Sequence, residues 1–267
     1  MTKIKLWISD IDGTLLNYDG STTPELLEVI KRVNESETKL VLATGRMFMG
    51  ANYQAKKFNL KTPVVCYQGA VVRDENEILW QSSVDVSLAY EVIDYMRKKQ
   101  IHTHIYNDDI LYIEDDNKRI MNTYCNGRGT TYTVLGSFND IKLTNVSKIL
   151  AVIENKALME EVKEELREKY KGIFAVVQSS TTYLEITNIN ASKGNALNFL
   201  KEYWGLSDDE VFASGDQDND IDMIKNAGIG VCVGDNSKEL KKVADYYCKS
   251  VNSNELTELV KRLILCE

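Results

Sequence analysis

The chain has 267 residues, 43% hydrophobic and 27% charged, enough apolar mass for a full core and for two domains. Its 40 acidic and 32 basic side chains leave a net charge of −8, which excludes a duplex nucleic-acid binder held by a surplus of Lys and Arg. The five cysteines (Cys66, Cys125, Cys232, Cys248, Cys266) have no close CxxC pairing, which excludes a disulfide framework or a zinc site and leaves reduced, mostly buried thiols.

The opening "MTKIKLWISD" enters a strand at once with no long apolar leader, and no stretch approaches the roughly 20 apolar residues of a membrane span. A cytoplasmic protein is expected, with no membrane or nucleic-acid partner. The apolar run "LWIS" ends in Asp10 and Asp12, one residue apart, followed by Gly-Thr. The next segment, "TTPELLEVIKRVNES", carries a Thr cap, a Pro start and an apolar stripe at Leu26, Leu27, Ile30 and Val33, all helix signals. A buried strand "KLVLATGR", a helix around "FMGANYQAKKFNL" and a third strand "PVVCYQGA" complete a βαβαβ pattern. That pattern predicts a doubly wound, Rossmann-like parallel sheet with right-handed crossovers.

From about Val84 the pattern changes. A helix "SLAYEVIDYMRKKQ" precedes "IHTHIYNDDILYIED", whose alternation around Asn-Asp-Asp predicts an antiparallel hairpin. Strands "VSKILAVIE", "FAVVQSS" and "TYLEITN" and the charged helix "KALMEEVKEELREKY" extend an α+β insert. After Asn190 the α/β alternation resumes through "KGNALNFLKEYWG", "EVFASGD", "DNDIDMIKNA", "GIGVCVG", "SKELKKVA", "DYYCKS" and "NELTELVKRLILC". The predicted organisation is a core of residues 1–83 plus 188–267 and an inserted α+β cap of residues 84–187.

Four clusters fall at predicted carboxyl ends of core strands or at a helix start: "DIDGT", "ATGR", "ASKGNA" and "SGDQDND". Each alone has an ordinary explanation as a turn, a strand exit or a helix cap. Together they lie on the edge where open α/β sheets bind ligands. Two adjacent carboxylates repel each other unless a cation meets them. Asp10, Asp12 and Asp216 supply hard oxygens for Mg2+. Lys193 and the Thr44 hydroxyl supply a positive charge and a donor for a phosphoryl group. Asp10 can then attack phosphorus, and Asp12 can protonate the leaving alcohol and deprotonate a hydrolytic water.

The ordered set DxDGT, TGR, Lys-Gly and GDxxND resembles the haloacid dehalogenase superfamily of phosphohydrolases, in its Cof-type branch with a C2 cap, along the whole chain. The resemblance implies a Mg2+-dependent phosphatase for a small phosphorylated metabolite, sugar phosphates foremost. A sugar-phosphate mutase and a non-catalytic phosphosugar-binding regulator are the alternatives. It implies Asp10 as nucleophile and metal ligand, Asp12 as acid/base with its backbone carbonyl on the metal, and Asp216 as the further metal ligand. Thr44, Lys193, Asn219 and the backbone N–H groups near Ile11 and Gly45 are implied as phosphate ligands. Asp220 would support the metal shell or Lys193. Arg46, from its position on the core side, is a substrate-binding candidate.

Two departures stand out. Relatives carry Asn-Gly-Ala after the third strand where this chain has "YQGA", so Gln68 is expected to reshape the leaving-group pocket. "VGDN" stands where relatives have Gly-Asn-Ala, which is expected to alter a turn. His102 and His104 share a strand face without a third ligand and read as cap packing or surface. Tyr183, Glu185 and Asn190 are weaker substrate candidates by position. The acidic surface fits a monomer or weak dimer.

Overall fold

The computed structural model describes residues 2–125 and 131–267. Contacts divide the chain into two units, Met1–Trp80 with Ser192–Glu267, and Gln81–Ala191. The division lies a few residues outside the expected 84–187 insert for a local reason. The Asn188 side chain donates to the Ser83 carbonyl at 2.9 Å, and Val84 pairs with Val146, so both flanks associate with the insert.

The first unit begins with β1 (Leu6–Ser9), α1 (Pro24–Glu35), β2 (Lys39–Leu42), α2 (Phe48–Lys57) and β3 (Val64–Cys66). Thr23 caps α1 by accepting from the Leu26 N–H, and Pro24 occupies the first helical position, where its missing donor costs nothing. The buried stripe of α1 is Leu26, Val29, Ile30 and Val33. Leu27, expected in that stripe, is 44% exposed because it falls off the i, i+3, i+4, i+7 face that Val29 completes. After β3 a tight turn at Tyr67–Gly69 reverses the chain into β4 (Val71–Arg73) and β5 (Ile78–Gln81). This small sheet was not anticipated. Its sharp turn is made by Asp74, whose side chain accepts from the N–H groups of Asn76 and Glu77 at 2.7 and 2.9 Å.

The second unit comprises α3 (Val86–Lys98), β6 (His102–Asn107), β7 (Ile110–Ile113), α4 (Lys118–Cys125), β8 (Tyr132–Val134), β9 (Val146–Val152), α5 (Lys156–Lys169), β10 (Phe174–Gln178) and β11 (Tyr183–Asn188). The strand order is β10-β11-β9-β6-β7-β8, antiparallel except for the β7–β8 pair. Asp108 and Asp109 join β6 to β7 with φ values of 50° and 61°, the left-handed pair that a two-residue hairpin requires. One side of this sheet packs Ile105, Ile149, Leu184 and Ile186 with Val92 and Met96 of α3 and Val162 and Leu166 of α5. By alternation the other side carries His102, His104, Lys148 and Glu185.

The chain returns to the first unit with α6 (Lys193–Trp204), β12 (Val211–Gly215), α7 (Ile221–Lys225), β13 (Ile229–Val233), α8 (Lys238–Val243), β14 (Tyr246–Cys248) and α9 (Glu255–Leu263). The core sheet has the order β14-β13-β12-β1-β2 and is parallel throughout. A parallel bridge between Ala43 and Val65 carries β3 beside the end of β2. Leu6, Ile8, Val41, Val211, Ala213 and Cys232 are buried with Leu197 and Leu200 of α6, as strands covered on both faces require. Among the described residues no helix is long and apolar enough to cross a membrane. Cys66, Cys232 and Cys248 are buried, Cys125 is half-buried, Cys266 is exposed, and all five are free thiols.

His104 is fully buried, stacked edge-on to His102 and Tyr124 at centroid distances of 5.1 and 4.7 Å. Neither ring nitrogen finds a hydrogen-bond partner among the described residues. Burial, with His102 and Lys148 adding to it, pushes the imidazole down to about 3, so it stays neutral in the fold. Unfolding releases a histidine that binds a proton near 6.5, so the stability it contributes is complete above that pH and drains away as the pH falls toward 3. Between pH 7 and pH 5 the loss from this residue is about 2 kcal/mol. Urea unfolding of His104→Phe should show a shallower decline of stability over that interval than the wild type. Identical slopes would mean His104 does not govern the acid sensitivity of its unit.

Candidate active site

The site forms where β1 and β12, paired residues of which are 205 positions apart in sequence, run side by side. Ser9 pairs with Ser214, and the Asp10 N–H donates to the Ser214 carbonyl at 2.9 Å. Beneath them lies a buried chain of hydrogen bonds. Trp7 Nε1 donates to Ser214 Oγ at 2.9 Å, Ser214 Oγ to Ser9 Oγ at 2.7 Å, and Ser9 Oγ to the Asp10 carbonyl at 2.8 Å. The backbone that presents Asp10 is therefore fixed from below by a buried relay of hydrogen bonds.

Lys193 is the first residue of α6, whose start is set by Ser192 accepting from the Asn195 N–H. Its side chain is fully buried, and its ammonium donates to Asp10 Oδ1 at 2.5 Å and to Asp220 Oδ1 at 2.6 Å. Asp220 Oδ2 accepts the backbone N–H groups of Asp216 and Gln217, both at 3.0 Å. Asp220 thus supports Lys193 and shapes the loop that carries Asp216. Asp10, Asp216 and Asp220 each place a carboxylate oxygen within 4.8 Å of the others.

Burial pushes the Asp10 carboxyl up to about 8, outweighing Lys193, with Asp220 and Asp216 adding to the rise. Burial also raises Asp216, against hydrogen bonds from Tyr18 and Asn236 that lower it. Lys193 is held above the ordinary lysine value because its two carboxylates outweigh the burial that would lower it. Three carboxylates facing one ammonium is a donor set short of positive charge. Hard oxygens in that arrangement fit a divalent cation such as Mg2+.

Asp12 is not part of this buried group. Its carboxylate is half-exposed and accepts a two-pronged bond from Arg46, Nε to Oδ2 at 2.8 Å and Nη2 to Oδ1 at 2.5 Å. Arg46, expected on the substrate, is bound to Asp12 in this structure. Thr44 is buried beside it, and its hydroxyl accepts the Arg46 N–H at 3.2 Å. Among the described residues the N–H groups of Ile11 and Gly45 have no partner. Asn219 donates through Nδ2 to Gln68 Oε1 at 2.6 Å.

Several residues at the site were given no role from the sequence, and of these Tyr18 lies outside every motif. Tyr18 donates to Asp216 Oδ2 at 2.7 Å, and Asn236 Nδ2 donates to the same oxygen at 2.9 Å. Gln217 Nε2 donates to the Tyr18 hydroxyl at 2.9 Å, and Thr14 reaches Asp216 Oδ1 at 3.4 Å. The "VGDN" departure therefore does more than alter a turn, because its Asn236 helps to hold Asp216. Gly13 has φ of +95°, and a Cβ there would lie 2.2 Å from Asp216 Oδ2, so the loop admits only glycine. Tyr183, Glu185 and Asn190 belong to the second unit. There Glu185 pairs with Lys148 at 3.2 Å and accepts from Ser179 at 2.7 Å, while Tyr183 packs edge-on to Tyr124.

The model of the family described as haloacid dehalogenase-like hydrolase matches residues 7–258. A 5-amino-6-(5-phospho-D-ribitylamino)uracil phosphatase of Bacillus subtilis is 27% identical over 98% of this chain and 96% of its own length. A second protein of that name from the same organism is 24% identical over 91% of this chain and 92% of its own. Among solved structures, a haloacid dehalogenase-like hydrolase from Bacteroides thetaiotaomicron superposes with a TM-score of 0.89 at 25% identity, covering 98% of this chain and 100% of that one. A Thermotoga maritima protein follows at 0.87 and 28%, with 97% of each chain covered.

Replacing Lys193 by Met keeps the apolar stem but leaves Asp10 and Asp220 without their buried counter-ion. The expected cost is roughly 3–5 kcal/mol in urea unfolding. Adding Asp220→Asn should recover part of it, so that the double variant loses less than the two single losses combined. Simple additivity would mean that the two groups are not coupled.

Proposed function

Because the chain belongs to the haloacid dehalogenase-like hydrolases, we propose that it is a Mg2+-dependent phosphatase of small phosphomonoesters, working through an aspartyl-phosphate on Asp10. The observation that carries this reading is the buried grouping of Asp10, Asp216 and Asp220 around Lys193. A binding protein for neutral ligands has no use for three buried carboxylates that need a cation.

Asp10 and Asp216, with the Asp12 backbone carbonyl, would hold Mg2+. Bound there, the ion supplies charge neutralisation for the carboxylates and for the phosphoryl oxygens. Lys193, the Thr44 hydroxyl, the Asn219 amide and the free N–H groups of Ile11 and Gly45 would bind the phosphoryl group as its charge redistributes. An Asp10 carboxylate oxygen attacks phosphorus, the bond to the ester oxygen breaks, and Asp12 gives that oxygen its proton. Asp12 then takes a proton from water, which attacks the phosphorus of the aspartyl-phosphate and releases inorganic phosphate, restoring Asp10. Arg46 holds Asp12 in the structure and would position it for this exchange.

Substrate choice falls to the inserted unit, and a cytoplasmic metabolite is the substrate class. Two Bacillus subtilis relatives are named for a phosphate carried on a ribityl chain. That supports esters of primary alcohols on sugars or polyols as the first candidates.

Phosphate release from a panel of such esters should require Mg2+ and stop with EDTA. It should vanish in Asp10→Asn and fall at least about a hundredfold in Asp12→Asn, the range for losing a general acid. Release that survives in Asp10→Asn would rule out the covalent route.

A further inference from the structure

Gln68 occupies an unusual piece of backbone. Tyr67, Gln68 and Gly69 have φ values of 51°, 60° and 97°, three left-handed residues in succession of which only one is glycine. Left-handed backbone at the other two is costly and persists only where the surroundings enforce it. Here they do. The Gln68 N–H donates to the Thr44 carbonyl at 3.1 Å and the Tyr67 N–H to the Arg46 carbonyl at 3.0 Å, which ties the turn to the TGR loop. On its other side Gly69 touches the start of α6, where a Cβ would lie 2.1 Å from the Ser192 carbonyl and 2.5 Å from the Lys193 nitrogen. The turn is thus wedged between the two elements that carry Thr44 and Lys193.

What the wedge presents is the Gln68 amide. Its Oε1 accepts from Asn219 Nδ2 at 2.6 Å, which ties the two amides together. Its Nε2 lies so close to Gly45 that a Cβ on that glycine would be 2.4 Å away. Among the described residues this nitrogen has no acceptor, and neither does the Gly45 N–H beside it. Two unmatched donors from different loops, with Asn219 oriented alongside, call for an oxygen-rich anion. Asparagine would hold its amide one methylene nearer the backbone.

We propose that Gln68 is a substrate-binding residue whose side-chain N–H donates to a non-bridging oxygen of the phosphoryl group, while its carbonyl holds Asn219 in place. The inference rests on the phosphatase reading, and it can be tested apart from turnover. The dissociation constant of inorganic phosphate in the presence of Mg2+ should be measured by calorimetry for the wild type, Gln68→Met and Gln68→Glu, each checked for folding by circular dichroism. Met keeps length and removes the donor, and phosphate binding should weaken by about ten- to a hundredfold, as for a lost hydrogen bond to a charged group. Glu keeps shape and adds repulsion, and should weaken it further. Repeating Gln68→Met in an Asn219→Ala background separates direct donation from positioning, because a direct donor still matters once Asn219 is gone. Equal constants across the variants, a Gln68 effect that disappears in that background, or no phosphate binding by the wild type would overturn the proposal. Gln68-dependent phosphate binding in a protein that releases phosphate from no ester would instead overturn the phosphatase reading and leave this one standing.

Discussion

The ammonium of Lys193 lies between Asp10 and Asp220 at 2.5 and 2.6 Å with all three groups buried, and much of the first unit is arranged to keep it there. A buried charge is tolerated only when its partners are held in good geometry. Asp10 is held by the relay from Trp7 through Ser214 and Ser9, and Asp220 by two backbone N–H groups. Lys193 is held by the cap of α6 and by the contact of Gly69 with Ser192. The supports come from separate parts of the chain, β1 and β12, the loop after β12, the start of α6 and the turn after β3, and the ion cluster is where these parts of the sheet edge are made to agree.

The same edge gives two aspartates, two residues apart, opposite surroundings. Asp10 is buried against a lysine and two further carboxylates, while Asp12 is half-exposed and gripped by a guanidinium. Environment rather than residue type divides labour between like groups in such pairs. A group that must meet phosphorus benefits from a fixed, dehydrated position. A group that trades protons with solvent benefits from access to water. The partner of Asp12 is an arginine, which offers a planar two-point contact outside the buried space that Lys193 fills.

Much of this was legible in the sequence because it depends on local order. "LWIS", "KLVL" and "EVFASGD" read as strands because both faces are covered, and Thr23 and Pro24 mark the start of α1. Asp10, Thr44, Lys193 and Asp216 stand at strand ends or a helix start, where four clusters taken together and their resemblance to a known set of motifs made them candidates. The elements that escaped notice, β4, β5, α4 and β8, are short, and β8 is defined only by a parallel partner in β7. Without the flanking strand–helix alternation that marks β1 and β2, strands of three or four residues give no periodicity to read. Tyr18 and Asn236 escaped for another reason. They meet at one oxygen of Asp216 although 218 positions separate them, and nothing in either local sequence encodes that meeting.

The central place of β1 has a consequence for how the protein is made. Its Leu6–Ser9 segment is flanked by β2 on one side and by β12 on the other, and its register with β12 begins at Leu6 and Val211. At the usual ribosomal pace of ~5–20 residues per second, β1 waits roughly 10–40 s for that second neighbour. During the wait one edge of β1 lacks its partner, while the intervening unit, whose core is drawn from its own residues, has all of its strands synthesised before β12. Chaperone dependence during synthesis would then be a property of the first unit alone, imposed by chain order rather than by stability.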